Sequence, residues 1–341
     1  MPSHPLDHLM GDEKITEIMV NRFDQIFIEK NGKIYPSDVH FDNYQQLYNT
    51  IEKIVLDDGK SLTDSYYFDG ALTGSYRYNI VMPPMNPTSP LLTMRRFSTQ
   101  KFTLDKLVEL KAISEKAKTF LQAVIIARQN IVVSGGTGSG KTTFLQALSG
   151  EIPNTERVVT VEDVPELYLH QDNWVQLLSV RTGEMQVSIK DCLVNSLRMR
   201  PDRIIVGECR RDETFEMLQA MNTGHDGSMT TVHSNTPSDC LVRLENLLHS
   251  SGFDVPLKYL RKQLAETIDF IVQLKRMPDG RRVISEIVEP TGVEGDVITR
   301  TTLFNLDGND VLSPVGLVPK KIKHIEAKNR RKFPANFFQR N

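Results

Sequence analysis

The chain has 341 residues, 39% of them hydrophobic and 25% charged, which supplies a sizeable core and excludes disorder along its whole length. Lysine and arginine total 41 against 43 aspartates and glutamates, a net charge of -2 that provides no global field for nucleic acid. Cys192, Cys209 and Cys240 lack C-x-x-C spacing, so neither a zinc site nor a disulfide framework is indicated. Apolar runs such as Ala123 to Ala127 fall far short of the roughly 18 residues a membrane span needs, and the N-terminus lacks a signal-peptide core. The expectation is a cytoplasmic protein of two domains plus extensions.

Residues 1–98 read as an α+β domain. Ile26 to Lys30 and Lys33 to Tyr35 flank Asn31-Gly32, the dipeptide favoured in type I′ hairpins because both central residues need positive φ. Leu47, Ile51, Ile54 and Val55 share one helical face, and Gly59 lies just past its end. Pro83, Pro84, Pro87 and Pro90 forbid regular structure and predict a loop between two strands. A hinge is expected at Ser98 to Thr103, and the linker between the domains is assigned to residues 99–105.

The second domain, residues 106–310, alternates strands and helices, the pattern of a largely parallel sheet. Ser114 caps a helix with an apolar stripe of Ala117, Phe120, Leu121, Val124 and Ile125. The strand Ile131 to Ser134 then runs into Gly135-Gly136-Thr137-Gly138-Ser139-Gly140-Lys141-Thr142-Thr143, a complete G-x-x-x-x-G-K-T phosphate-binding loop. Its glycines let backbone N–H groups surround the phosphates, Lys141 brings a point charge, and the Thr142 hydroxyl suits Mg2+. Phe144, Leu145 and Leu148 continue as a helix, whose N-terminus favours anions.

Two further strands end in acids. Val158 to Val161 leads to Glu162-Asp163, with Glu166 close behind, and Arg203 to Val206 leads to Gly207-Glu208. Both deliver carboxylates to the edge where ligands bind in parallel sheets. Glu208 is expected to reach Mg2+ through water, and Glu162 to prepare the attacking water, with Glu208 as the alternative base. The helix following Glu208 is expected to be capped by Asp212. Between His225 and His233 lies a short β-branched strand, Ser228 to Val232, suited to sensing a γ-phosphate.

These segments together resemble a known family. The glycine loop, Val161 to Leu167, Leu197 to Glu208 and Met221 to His233 look like the Walker A, Asp, Walker B and His boxes of the type II/type IV secretion ATPase superfamily, closest to the Tad (Flp) pilus assembly ATPases. The resemblance implies a RecA-like phosphate-loop C-terminal domain, a smaller PAS-like α+β N-terminal domain and a homohexameric ring. It also implies that Arg77 and Arg95 contact phosphates from the N-terminal domain, and that Arg210 senses nucleotide or bridges subunits.

The expected activity is Mg-ATP hydrolysis by a ring motor. ATP and Mg2+ bind at residues 135–143 and Glu208, His225 contacts nucleotide, and His233 joins Arg77, Arg95 and Arg210 in responding to it. Domain rotation would drive an inner-membrane platform protein in pilus assembly or secretion. A short-form conjugation or type IV secretion ATPase is the alternative, ahead of a nucleic-acid translocase; no nucleic acid partner is expected. Residues 311–341 form a basic tail: Lys320 to Asn341 holds eight lysines and arginines against Glu326, with Phe333, Phe337 and Phe338 interspersed. It reads as solvated, or as a contact to an acidic partner or the membrane surface.

Overall fold

The computed structural model describes residues 4–30, 32–72, 76–96, 102–180, 186–252 and 255–340. The chain divides into two units, Met1–Gln100 with Val180–Gln186, and Lys101–Ser179 with Val187–Asn341. Asn31 and most of the expected hinge at Ser98 to Thr103 lie outside the described residues. Thr103 itself is the N-cap of the next helix, accepting from Lys106 N–H.

The first unit runs α1 (Leu6–Gly11), β1 (Ile15–Arg22), β2 (Gln25–Lys30), β3 (Lys33–Pro36), α2 (Tyr44–Asp57), β4 (Tyr67–Leu72), β5 (Tyr76–Val81) and β6 (Leu91–Arg96). Its described strands form an antiparallel sheet in the order β3-β2-β1-β6-β5-β4. Lys30 pairs with Lys33, leaving the two-residue connection that Asn31-Gly32 foretells, and Gly32 has φ 74°. Period-two alternation buries Tyr76, Tyr78 and Ile80 of β5 with Leu92 and Met94 of β6, in one core with Leu47, Ile51, Ile54 and Val55 of α2. Asn43 caps α2 by accepting from Gln46 N–H.

The second unit runs α3 (Leu104–Glu109), α4 (Glu115–Ile126), β7 (Ile131–Gly135), α5 (Lys141–Ser149), β8 (Val158–Glu162), β9 (Trp174–Leu178), α6 (Ile189–Ser196), β10 (Arg203–Val206) and α7 (Glu213–Asn222). It continues with β11 (Met229–His233), α8 (Pro237–Ser250), α9 (Leu257–Thr267), β12 (Phe270–Arg276), β13 (Arg282–Glu294), β14 (Val297–Leu306), β15 (Leu312–Pro314) and α10 (Ile322–Asn329). Among the described residues one sheet has the order β15-β14-β13-β12-β7-β11-β10-β8-β9. The block from β12 to β9 is parallel, and β13 to β15 extend it as an antiparallel meander.

Every residue of β7 is buried, as a strand covered on both faces requires. One face packs on α4 and α5 through Phe120, Leu121, Phe144 and Leu145, and the other on α6 to α9 through Leu193, Met217, Leu241 and Leu264. Ser114 caps α4 as expected, accepting from Ala117 N–H at 3.2 Å.

Two expectations are corrected here. Asp212 makes no capping hydrogen bond to α7. Glu213 instead fixes the turn before the helix: its Oε1 accepts from the N–H groups of Arg210 and Arg211, while Thr214 and Phe215 N–H donate to the carbonyls of Arg211 and Asp212. Nor is 311–341 a solvated tail. Leu312 to Pro314 pairs with β14, Ile325 is fully buried, and Phe337 and Phe338 are 8% and 6% exposed against Phe120 and Phe304. The phenylalanine spacing that suggested an adhesive surface is the means by which the segment docks on its own domain. Its basic side chains Lys323, Lys328, Arg330, Arg331 and Lys332 face outward.

Candidate functional site

The parallel register sets the site. His233 pairs with Gly135 across β11 and β7, and Val161 pairs with Val206 across β8 and β10. The phosphate loop, Glu162, Glu208 and His233 therefore share the carboxyl edge of the sheet, the edge that receives ligands in such folds.

The loop has the backbone its glycines permit. Gly138 and Gly140 adopt φ 70° and 92°, and a Cβ on Gly135 would fall 2.4 Å from Ser139 Oγ. Phe144 N–H makes the first bond of α5, to Gly140 O at 2.9 Å. The N–H groups of Lys141, Thr142 and Thr143 thus have no intrahelical acceptor and carry the positive end of the helix dipole. Lys141 Nζ donates to Gly135 O at 2.9 Å and Gly136 O at 3.2 Å, bracing the ammonium across the loop. Burial holds this ammonium below its ordinary range, and the nearby Glu208 carboxylate opposes that shift. Ser139 Oγ is buried with no hydrogen-bond partner, a polar group that a ligand oxygen could satisfy.

Glu162 ends β8 at 3% exposure. Its Oε1 accepts from the N–H groups of Glu166 and Leu167, both at 3.0 Å, and its Oε2 accepts from Gln176 Nε2 at 2.8 Å. Burial pushes the carboxyl up to about 7, against the downward pull of these three hydrogen bonds. That value suits a group that gives and takes protons near neutrality. Asp163, the neighbouring acid, accepts from Ser179 Oγ at 2.7 Å.

Glu208 follows β10 and pairs with Arg210 at 2.5 Å. Its turn is tied to β11, because Thr231 Oγ1 donates to Gly207 O at 2.7 Å and Cys209 N–H donates to Thr231 O at 2.9 Å. A hydroxyl in the first turn of α5 and a carboxylate at the end of β10 fit Mg2+, which binds through one or two protein groups with phosphate and water supplying the rest.

His225 is a correction. It precedes β11, at the amino edge of the sheet, where its carbonyl accepts from Ser228 Oγ at 2.7 Å. The four residue steps of β11 separate the two edges by about 13 Å, so of the two histidines only His233 neighbours the phosphate loop. The loop around His225 is organised instead by Asn130, whose Oδ1 accepts from the N–H groups of Gly227 and Ser228.

Arg77 and Arg95 belong to the first unit and pair directly across β5 and β6, with Glu17 next in the same row on β1. Burial raises the Glu17 carboxyl, and Arg95 counteracts this. Two guanidiniums on facing positions form a cationic pair suited to phosphate oxygens.

Two features escaped the sequence reading. A cavity of 260 Å³ opens beside the phosphate loop, lined by Ser139, Gly140 and Thr143 on one side and by Leu107, Ile113 and Arg282 on the other. Arg282 itself donates from Nε to Gly138 O at 3.0 Å. The usable signal was Asp279-Gly280, a hairpin dipeptide following an apolar strand that pairs beside β7.

A phosphate loop on the central strand of a RecA-like sheet, with two carboxylates on the same edge, defines a phosphate-loop ATPase. The family model described as type II/IV secretion system protein matches residues 75–304, and the chain belongs to that family. It is 32% identical over 302 residues to a putative conjugal transfer protein of Mycobacterium tuberculosis, covering 86% of this chain and 85% of that one. It is 30% identical over 322 residues to the type IV secretion system protein VirB11 of Bartonella quintana, covering 83% and 90%. Among solved structures, the Legionella pneumophila ATPase DotB superposes with a TM-score of 0.61 at 22% identity, covering 87% of this chain and 84% of that one, a likeness of fold. Among the described residues no helix is long and apolar enough to cross a membrane.

Proposed function

We propose that this chain is the ATP-hydrolysing motor of a conjugation or type IV secretion machine, acting as a homohexamer on the cytoplasmic side of the membrane. The observation that carries the chemistry is the meeting of a complete phosphate loop with Glu162 and Glu208 on one sheet edge. The names of the relatives, conjugal transfer protein and VirB11, favour this system over Tad pilus assembly.

In this reading the N–H groups at the start of α5 and Lys141 bind the phosphates, and the nucleoside enters the apolar cavity beside Thr143. Thr142 and Glu208 are the residues that would hold Mg2+, which would supply charge neutralisation for phosphoryl transfer. Glu162 takes a proton from the attacking water, as its raised carboxyl permits. Arg77 and Arg95 supply guanidiniums to the same phosphates, and Arg210, paired with Glu208, responds to their loss. His233 passes that change to β11. The work is delivered to a platform protein in the inner membrane, and the outward basic face of α10 suits an acidic partner there.

The test is ATPase activity per subunit across a wide range of protein concentration, with Lys141→Ala as the blank. A rise with concentration, tracking a hexamer in mass measurements, is the expected result. Activity at the level of the blank at every concentration overturns the motor reading.

A further inference from the structure

We propose that Arg282 is a positioning residue for the phosphate loop, holding the Gly138–Ser139 peptide in the orientation that receives nucleotide phosphates. The inference rests on reading this site as one for Mg-ATP.

Three observations converge on that peptide. Gly138 and Gly140 both stand at positive φ, and glycines of this kind lose the most backbone freedom when a loop is ordered, so groups outside the loop must hold it. Ser139 N–H donates to Gly136 O at 3.3 Å, and Arg282 Nε donates to Gly138 O at 3.0 Å. These are the two ends of a single planar unit, and fixing both prevents it from turning over. Turned over, the plane would put the Gly138 carbonyl oxygen on the side where Ser139 N–H now meets Gly136 O, inside the loop read as holding phosphate, and it would repel that ligand.

Arg282 is itself well anchored. Next to it, Val283 and Ile284 are each 2% exposed, and Ile284 N–H donates to Ala112 O at 3.0 Å. The stem of Arg282 crosses the loop: its Cδ lies 3.3 Å from where a Cβ on Gly140 would stand. Across the hairpin Arg276 pairs with Arg282, and its Nη1 lies 3.8 Å from the corresponding point on Gly138. Arg281, by contrast, is engaged by Asp279 and Asp310. One of two adjacent arginines thus serves the hairpin, and the other serves the phosphate loop.

A cation on the carbonyl side of the loop also polarises its peptide dipoles, strengthening the positive potential on the N–H side. Loss of Arg282 therefore weakens the grip on phosphate, whatever nucleoside is attached.

The experiment compares binding of Mg-ATP and Mg-tripolyphosphate by calorimetry in the full chain and in Arg282→Ala, Arg282→Lys and Arg281→Ala, with thermal melting of each. Arg282→Ala is expected to weaken both ligands by the same factor, about tenfold for one charge-assisted hydrogen bond. Arg282→Lys should recover part of that loss, because an ammonium still reaches one carbonyl; Arg281→Ala, which lines the cavity but makes no bond to the loop carbonyl, should bind Mg-tripolyphosphate like the parent. Melting temperatures should agree, since Arg282 is exposed. Affinity of Arg282→Ala within twofold of the parent overturns the proposal. Weakening of Mg-ATP alone also overturns it, making Arg282 a wall of the nucleoside cavity. A parent protein that binds neither ligand refutes the Mg-ATP reading of the site itself.

Discussion

Glu162, the last residue of β8, and Gly207, just past the end of the neighbouring parallel β10, stand side by side, and a Cβ built on Gly207 would lie 3.1 Å from Glu162 Cγ. The glutamate cannot withdraw cheaply, because three hydrogen bonds fix its carboxylate in a buried setting. Gly207→Ala is expected to destabilise the protein by roughly 1–3 kcal/mol, the usual range for overpacking. If Glu162 activates water, kcat falls while KM for ATP holds, because the phosphate loop is untouched. Steady-state kinetics beside urea unfolding checks both; an unchanged kcat would mean that the position of Glu162 is irrelevant to the chemistry.

The elevated Glu162 carboxyl has a pH signature. Its ordinary value is 4.5 and its value in the fold is about 7. Below 4.5 the group is protonated in both folded and unfolded chains and costs nothing. Between 4.5 and 7 the unfolded chain ionises first, so stability falls; above 7 the accumulated cost is constant, roughly 3 kcal/mol. Glu162→Gln should therefore gain stability over the parent at pH 8 and not at pH 4.5, with Gln176 turning its amide to face the new one. A general base must be ionised, so kcat of the parent should rise with pH through about 7, and that limb should vanish in Glu162→Gln. Melting curves and pH-rate profiles of the two proteins separate these effects.

At the amino edge of the sheet, Arg203 is wholly buried and forked onto Glu156 at 2.7 and 3.1 Å, with Arg128 at 3.2 Å on the same carboxylate. Removing one partner of a buried pair strands the other charge, at about 3–5 kcal/mol. Glu156→Ala should lower the urea midpoint accordingly. Its affinity for Mg-ATP should stay close to the parent's, since the phosphate loop lies at the opposite edge.

That opposition of edges explains what the sequence could and could not disclose. The phosphate loop was legible because its chemistry is local: glycines, Lys141 and Thr142 sit within one turn. Glu162 and Glu208 were legible because each ends an apolar strand, and parallel strands end on one side. His225 and His233 were read as a unit across a short strand, yet a strand has two ends, and only one meets the loop. Arg282 lies 144 positions from Gly138, and only the pairing of β12 beside β7 brings its hairpin to the site. Gln176, too, reaches Glu162 only because β9 pairs with β8.

The C-terminal segment offers the plainest separation of charge from packing. Phe338 meets Phe120 at 5.8 Å and Phe304 at 6.3 Å, edge to face, and Gly316 N–H donates to its carbonyl at 2.9 Å. Phe120 lies on α4, which leads directly into β7, so the segment buttresses the strand that carries the phosphate loop. Phe338→Ala is expected to cost roughly 3–5 kcal/mol, as for other buried aromatic truncations. Neutralising Arg330 and Arg331 as Gln, both on the surface, should change stability by no more than about 0.5 kcal/mol each. Urea midpoints of the two variants measure the contrast. Equal losses would mean that the basic residues hold the segment in place, whereas the expected inequality leaves them free to serve an acidic partner without loosening the fold.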